Sequence, residues 1–177
     1  MLVYNATKQQ FIDDVRANVI ADAIENEVSR KLSRNSPRNE VASWENSLRF
    51  MMSVLLDEGI PASAGVAIEY NIPLTNRRVD FILTGKNDQR EDSAVIIELK
   101  QWQTAEVTTK DAIVRTQLGG GVRETNHPSY QAWSYGALIE DYNETVRSES
   151  IRMVPCAYLH NMKQGNAIND PFYANHT

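Results

Sequence analysis

Two apolar segments decide the fold of this chain: residues 77–83, with the sequence RRVDFIL, and residues 94–100, with the sequence AVIIELK. Both are rich in Val, Ile, Leu and Phe and are bounded by polar turn residues, which predicts two short β-strands. Each segment also contains a carboxylate, Asp80 in the first and Glu98 in the second. Burial of an ionised carboxylate is costly unless a cation or another partner compensates its charge. The two acids therefore indicate a site on the sheet.

A lysine belongs to the same pattern. Lys100 follows Glu98 by two positions, so the two side chains point to the same face of the strand. Asp80, Glu98 and Lys100 can then converge beside one edge of the sheet. Carboxylate oxygens suit a hard divalent cation, and a lysine beside it can act on its bound water. The alternative is a surface salt bridge between Glu98 and Lys100, with Asp80 in solvent.

Length, composition and charge limit the class of protein. The chain has 177 residues and an ordinary composition, which predicts a single domain over residues 1–177, with an N-terminal helical extension (1–36), a core (37–160) and a tail (161–177). No apolar run approaches the ~18 residues of a membrane span, and no secretory signal begins the chain. A lone cysteine excludes an internal disulfide and fits a reducing, cytoplasmic setting.

The net charge of −5 provides no general attraction for nucleic acid, so any contact with it must be local. The basic stretch over residues 30–38 contains no acid and is one candidate for contacts with phosphates. A solvated helix end is the alternative interpretation of the same residues.

Periodicity and turn residues predict the remaining elements. We predict a helix capped by Thr7, a second helix with Ser36 as N-cap and Pro37 at its first position, and a stop at Gly59. Residues 107–116 are compatible with a helix or with a hairpin. The predicted elements are helices at about 8–32, 37–58 and 128–142, and strands at 66–72, 77–83, 94–100 and 151–159. This is an α/β fold: a mixed central sheet flanked by helices, in the order helix, three strands, helix, strand, with an extra N-terminal helix.

That order, with Asp80 on the second strand and Glu98-x-Lys100 on the third, resembles the restriction-endonuclease-like core of PD-(D/E)XK nucleases. Gln131 and Tyr135, four residues apart on the following helix, are similar to the QxxxY element of RecB-type members. Nearly the whole chain also resembles the N-terminal nuclease-like region of bacterial Schlafen-type helicase proteins, in which a DNA/RNA helicase domain follows. The strings that carry this second resemblance are SWENSL (43–48), RVDFILTG (78–85), IELKQW (97–102), GGG (119–121), HPSYQAWSY (127–135) and PCAYLHN (155–161).

The resemblance implies a metal-dependent nuclease that hydrolyses phosphodiester bonds, with DNA favoured over RNA and a helicase domain as partner in cis or in trans. It makes Asp80 and Glu98 metal ligands, with the carbonyl of Leu99 as a third oxygen. Mg²⁺ is the expected ion and Mn²⁺ its substitute. Lys100 would orient the attacking water or stabilise negative charge on the phosphate.

The resemblance also implies three further site residues. The superfamily uses a glutamate from the helix before the sheet; Glu40 and Glu45 both flank the apolar stripe of that helix, and we prefer Glu40 because it lies near the helix start. Gln131 and Tyr135 would line the cleft and support the metal site or contact the nucleic-acid backbone, with ordinary helix packing as the alternative. Glu69, on the first strand, is either a supporting acid or the exposed side of an edge strand.

Two other functions are compatible with the same residues. One is a nucleic-acid-binding module that keeps the fold without turnover, since a fold does not guarantee chemistry. The other is a protein-interaction domain that steers a helicase and keeps only a relict metal site. Neither the oligomeric state nor the choice between endonuclease and exonuclease action is indicated.

Overall fold

The computed structural model describes residues 2–32 and 37–176. It is an α/β protein with a mixed five-stranded sheet, a separate three-stranded sheet and five helices. In chain order the elements are β1 (Tyr4–Thr7), α1 (Lys8–Arg16), α2 (Ile20–Leu32), α3 (Arg38–Leu55), β2 (Gly65–Asn71), β3 (Arg78–Lys86), β4 (Asp92–Lys100), β5 (Glu106–Val107), β6 (Ile113–Leu118), β7 (Gly121–Asn126), α4 (Pro128–Tyr142), α5 (Glu144–Ser148), β8 (Arg152–Leu159) and a short 3₁₀ helix (Pro171–Tyr173).

The large sheet has the strand order β1-β2-β3-β4-β8. Neighbouring strands are antiparallel except β4 and β8, which are parallel and are connected through α4. The α/β class and the mixed sheet flanked by helices are therefore confirmed. The predicted order of helix, three strands, helix and strand is present, with the three-stranded sheet inserted before α4. Within the described residues, no helix is long and apolar enough to cross a membrane.

Both faces of the central strands are buried. Helices α1, α2 and α3 pack against one face, where Val66, Ile68, Phe81 and Ile97 contribute to the core. Helix α4 covers the other face, where the strands contribute Ala67, Ile82, Ala94 and Ile96. Alternate strand residues point to opposite faces, so burial of both faces explains the almost continuous apolar runs that defined these strands.

The N-terminal region differs from the single helix predicted over residues 8–32. The chain turns at Asn18, which has a φ of 58°, and this turn separates α1 from α2. Asn adopts this left-handed conformation more readily than most residues. Thr7 caps α1 as predicted, since its hydroxyl accepts the N–H of Gln10 at 3.2 Å. The predicted sheet also lacked β1, which pairs with β2 and forms the edge.

Helix α3 was predicted with the right location and the wrong ends. Pro37 is its N-cap residue and not its first helical residue, and the predicted cap Ser36 lies outside the described residues. The helix ends at Leu55, so Gly59 does not terminate it. Its buried stripe, which packs against the sheet, consists of Trp44, Ser47, Leu48, Met51 and Leu55.

Residues 107–116, which were compatible with a helix or a hairpin, contain a hairpin, in which β5 pairs antiparallel with β6 and Val107 lies opposite Val114. Strands β6 and β7 are joined at Gly119 and Gly120, whose φ values of 58° and 85° suit the tight two-residue turns that twisted hairpins favour. The tail packs against this small sheet, because the hydroxyl of Tyr173 donates to the carbonyl of Ile113 at 2.6 Å. A small third core results, made of Trp102, Val114, Ile168 and Tyr173.

Candidate active site where β3 and β4 separate

The pairing of strands β3 and β4 ends next to the two acids, Asp80 and Glu98. Their pairing runs from Lys86 opposite Asp92 to Phe81 opposite Ile97, and beyond Ile97 strand β4 continues beside β8 alone. We call this divergence the β3–β4 fork. The backbone N–H of Leu99 donates to Oδ2 of Asp80 across the fork at 2.9 Å. The Asp80 carboxylate thus accepts a hydrogen bond that a backbone carbonyl of β3 would accept if the two strands stayed paired.

Glu98 is the most heavily engaged acid of the fork. Its side chain is buried, with 3% of the residue exposed. Its Oε1 accepts hydrogen bonds from Nζ of Lys100 at 2.5 Å and from Nε2 of Gln131 at 2.7 Å. Its Oε2 is buried and has no hydrogen-bond partner. One oxygen of this carboxylate therefore accepts two hydrogen bonds, whereas the other accepts none from an N–H group of the described residues.

Helix α4 contributes the amide that organises this corner. Gln131 points its Nε2 at Glu98 and also donates from it to the hydroxyl of Tyr135 at 2.9 Å. The other end of the amide, Oε1, accepts from Nζ of Lys100 at 3.3 Å. The indole ring of Trp102 lies 5.5 Å from the same ammonium. Lys100 is consequently held from three directions.

The pKa values of Asp80 and Glu98 are both raised, chiefly by burial. Burial raises the pKa of both Asp80 and Glu98, and the charge of Asp80 raises the pKa of Glu98 further. Lys100 opposes this effect on both residues. The two carboxyl groups are close enough to share a proton. A divalent cation between them would remove the repulsion and favour the doubly ionised state.

A second acidic group lies beside the fork. Arg78 at the start of β3 forms ion pairs with Glu40 of α3, at 2.8 Å, and with Glu69 of β2. The other oxygen of Glu69 accepts the indole N–H of Trp44 at 2.7 Å. Burial raises the pKa of Glu69 to about 7, in spite of the opposing charge of Arg78.

Three of these residues were misjudged or missed. Glu69 is buried on an interior strand, so the interpretation as the exposed side of an edge strand is wrong. The contributions of Arg78 and Trp44 were not predicted at all. The available signal was an arginine two positions before Asp80, at the start of an apolar strand, because a partly buried guanidinium favours acidic partners.

Two cavities adjoin the fork, and their linings include Glu40 but not Glu45. One, of about 570 Å³, is lined by Glu40, Glu69, Arg78, Asp80 and Leu99 among others. The other, of about 770 Å³, is lined by Glu40, Arg78, Asp80, Glu98, Gln131 and Tyr135 among others. Glu45 is exposed on α3. The structure therefore brings Glu40, and not Glu45, to the predicted site.

The fork residues fit a hard divalent cation. Asp80 and Glu98 supply carboxylate oxygens, which magnesium and manganese prefer, and the partnerless Oε2 of Glu98 is an oxygen that a cation would satisfy. The described residues contain no group of three or more His, Cys, Asp or Glu side chains arranged to hold a metal ion. A cation here would therefore complete its coordination with water and with a backbone oxygen such as that of Leu99.

A scan against protein-family models and searches of the curated proteins and the solved structures found no match for this chain. The resemblance to PD-(D/E)XK nucleases accordingly stays a prediction. The function proposed below is argued from the geometry of the fork and does not require the sequence resemblance.

Proposed function

We propose that this chain is a divalent-metal-dependent phosphodiesterase that cleaves nucleic acid, with DNA favoured over RNA. The observation that carries the proposal is the fork itself. The half-buried Asp80 and the buried Glu98 meet at the fork, Oε2 of Glu98 has no hydrogen-bond partner, and the Lys100 ammonium lies 2.5 Å from Oε1 of Glu98. Such a set of charges is expensive in a fold without function, and it suits a phosphate and a cation.

Asp80 and Glu98 would hold Mg²⁺, with the carbonyl of Leu99 as a third protein oxygen and Mn²⁺ as a substitute ion. The bound ion would supply positive charge against the scissile phosphate and make water a better nucleophile at neutral pH. Stabilisation of the phosphate charge and positioning of the site are assigned to side chains of the protein.

Lys100 is the group that would act on the phosphate. Its ammonium has three donors, and Glu98 and Gln131 accept from it in the structure. A remaining donor can reach a phosphoryl oxygen and stabilise the charge that develops there. Gln131 holds Glu98 and Lys100 at a fixed separation through the two ends of its amide, and Tyr135 orients that amide.

A restriction-endonuclease-like core is the fold we propose for residues 37–160. Its support is the parallel pair β4–β8, connected through α4, next to an antiparallel β2-β3-β4 unit that carries the acids. A helicase domain in cis or in trans is the proposed partner, on the resemblance alone.

A nucleic-acid-binding module of the same fold without turnover is the second candidate. The observation in its favour is that Arg78 engages Glu40, the acid expected to assist at the site. A module of this kind would bind nucleic acid in EDTA, with an affinity that falls as salt rises.

A cleavage assay separates the two candidates. Single-stranded DNA, duplex DNA and RNA, each linear and circular, are incubated with the protein in Mg²⁺, Mn²⁺ or EDTA. The test variants are Asp80→Asn and Lys100→Ala. The matched controls are Asp92→Asn and Lys86→Ala, which change an exposed ion pair at the opposite end of the β3–β4 pairing.

Cleavage that requires the metal, survives in both controls and is lost in both test variants would establish the nuclease. Equal cleavage by Asp80→Asn and the wild type would refute the assignment of the fork. Salt-sensitive binding without cleavage would favour the module.

A further inference from the structure

The turn between β2 and β3 borders the proposed site. Its residues Thr75 and Asn76 line the cavity of about 770 Å³ that Asp80 also lines. Leu74 precedes Asp80 by six positions, and a chain spans at most about 3.6 Å per residue, so their Cα atoms lie no more than about 22 Å apart. Along a DNA duplex, which rises about 3.4 Å per base pair, this distance corresponds to about six base pairs. A duplex bound at the fork therefore passes within reach of this turn.

Four hydrogen bonds hold the turn in shape. The backbone N–H and the hydroxyl of Thr75 both donate to the carbonyl of Ile72, at 3.3 and 3.0 Å. The same hydroxyl accepts the N–H of Arg77 at 3.0 Å, and the N–H of Ile72 donates to the carbonyl of Arg77 at 3.0 Å. Ile72 is itself buried in the core under α4. The tip of the turn is thus carried on a base that is anchored in the core.

The residue at this tip is exposed, apolar and strained. Leu74 is 91% exposed, the largest value among the exposed large hydrophobic residues that the structure describes. Its φ of 60° lies in the left-handed region, which is costly for a residue with a Cβ atom. The leucine therefore contributes little to the packing of the protein and leaves the turn strained. Strained positions of this kind concentrate at functional sites.

A cation suited to phosphate lies beside the tip. Arg77 is exposed and forms no ion pair with any described residue, whereas Arg78 pairs with Glu40 and Glu69. A free guanidinium binds phosphate oxygens well. The turn thus presents an apolar group for the bases and a cation for the backbone of a nucleic acid.

The chemistry of the apolar group favours a duplex. Proteins that hold single strands stack the bases on aromatic side chains, which have a π face. Leucine has none, and it belongs to the aliphatic side chains that proteins insert as wedges between the stacked base pairs of a duplex.

We propose that Leu74 is a wedge that inserts between two base pairs of duplex DNA near the fork, while Arg77 binds a phosphate of the same duplex. This inference rests on the proposed nuclease function and names duplex DNA as its substrate. Insertion unstacks one base step and bends the duplex, and contacts between the bent DNA and the protein offset the cost.

The test is the fluorescence of 2-aminopurine, which rises when this base loses its stacking, placed at successive positions of a short duplex. The duplex is saturated with protein in Ca²⁺ in place of Mg²⁺. We expect the fluorescence to rise at one step with the wild type and with Leu74→Met, and to stay at the level of free DNA with Leu74→Gly. In Mg²⁺, Leu74→Gly should lower kcat/KM on duplex DNA roughly five- to tenfold, since the burial of a leucine side chain is lost.

Leu74→Gly relieves the strained backbone, so melting temperatures should show that its defect is not a loss of folding. Leu56→Ala is the matched control and should behave as the wild type does. Leu56 is 47% exposed and follows the C-terminal end of α3, whereas Glu40, which lines the cavity, lies near the other end.

Three results would overturn the wedge: no rise at any step with the wild type, the same rise with Leu74→Gly, or cleavage confined to single strands. Failure of the proposed function has a different signature. If the wild type unstacks one step and Leu74→Gly does not, but no metal supports cleavage, the wedge stands and the nuclease fails.

Discussion

The backbone N–H of Leu99 on β4 donates a hydrogen bond to the carboxylate of Asp80 on β3, at 2.9 Å. In a regular antiparallel pair, a backbone carbonyl of the adjacent strand would accept this bond. The strands have diverged by one residue beyond the Phe81–Ile97 pair, and the Asp80 side chain spans the gap. Asp80 is thereby brought to Glu98, although the two acids are eighteen residues apart in the chain.

We expect Glu98→Gln to abolish activity and to stabilise the protein. Cleavage should fall by at least about 100-fold, as is typical when a group that stabilises transition-state charge is lost. Burial and the charge of Asp80 raise the pKa of Glu98, so its ionised form opposes folding. In EDTA at pH 8, the free energy of unfolding should rise by about 1 kcal/mol or more, since one pKa unit corresponds to about 1.4 kcal/mol.

Urea denaturation beside the cleavage assay checks both parts of this prediction. Asp92→Asn, at an exposed position, should leave the free energy of unfolding within about 0.5 kcal/mol of the wild type. A Glu98→Gln protein less stable than the wild type would show that the carboxylate is compensated without metal.

Tyr135→Phe should produce a small and purely kinetic defect. The variant loses one hydrogen bond, from Nε2 of Gln131, and keeps the bond from Gln131 to Glu98. A single hydrogen bond contributes about 0.5–1.5 kcal/mol, so kcat should fall roughly 2- to 10-fold. Gln131→Ala removes contacts to Glu98, Lys100 and Tyr135 together and should cost more.

Steady-state kinetics on one substrate, with melting temperatures, distinguish these effects. Gln117→Ala, exposed on β6, is the matched control and should behave as the wild type does. Equal rates for Gln131→Ala and the control would remove Gln131 from the site.

Stability in the absence of metal should fall as the pH rises from about 4.5 to about 7. Burial raises the pKa of Glu69 to about 7, whereas a glutamate in the unfolded chain titrates near 4.3. The folded protein therefore binds more protons than the unfolded chain in this window, and deprotonation favours unfolding. The raised pKa values of Asp80 and Glu98 act in the same direction.

The free energy of unfolding is measured in EDTA at intervals between pH 5 and pH 7. The decline should be shallower in Glu69→Gln. It should be unchanged in Glu124→Gln, because Lys110 lowers the pKa of Glu124 and moves its titration below the window. A wild-type stability that increases across this range would contradict the assignment of Glu69 as a buried acid with a raised pKa.

Leu74→Gly should stabilise the protein. Leu74 is 91% exposed in the turn before β3 and has a φ of 60°. The left-handed conformation costs an L-residue roughly 1–2 kcal/mol and costs Gly almost nothing. The substitution also removes little packing, because the side chain is exposed. We expect a gain of about 1 kcal/mol in thermal or urea denaturation.

Val122→Gly is the matched control, since Val122 is 60% exposed in β7 and is absent from the residues with positive φ. There, Gly should cost about 0.5–1 kcal/mol. Destabilisation by both substitutions would indicate that the side chain of Leu74 makes a contact that its exposure does not suggest.

Local patterns in the sequence were sufficient for the elements that carry the acids. Strands β3 and β4 and helix α4 were predicted with ends that lie within three residues of the observed ones, because each has a periodicity that depends only on its own residues. Gln131 and Tyr135 share a face of α4 because residues four apart are neighbours on any helix. The predicted sharing of a face by Glu98 and Lys100 agrees with the contact between them.

Elements defined by distant partners were not predictable in this way. Strand β1 has four residues, too few for a periodic signal, and exists because β2 pairs with it about sixty residues later. The break between α1 and α2 interrupts an apolar stripe that continues through it, so periodicity could not reveal it.

The chemistry of the site divides along the same line. The order of residues in the chain determines that two acids and a lysine occur in apolar strands. Only the tertiary structure determines that β3 and β4 diverge at Asp80, beyond the Phe81–Ile97 pair, and that Glu69 has a left-handed φ of 57°. The same is true of the position of Arg78 between Glu40 and Glu69. The physical reason is that strand periodicity assigns a side chain to a face, whereas the partner of a buried charge depends on which distant segment packs against that face.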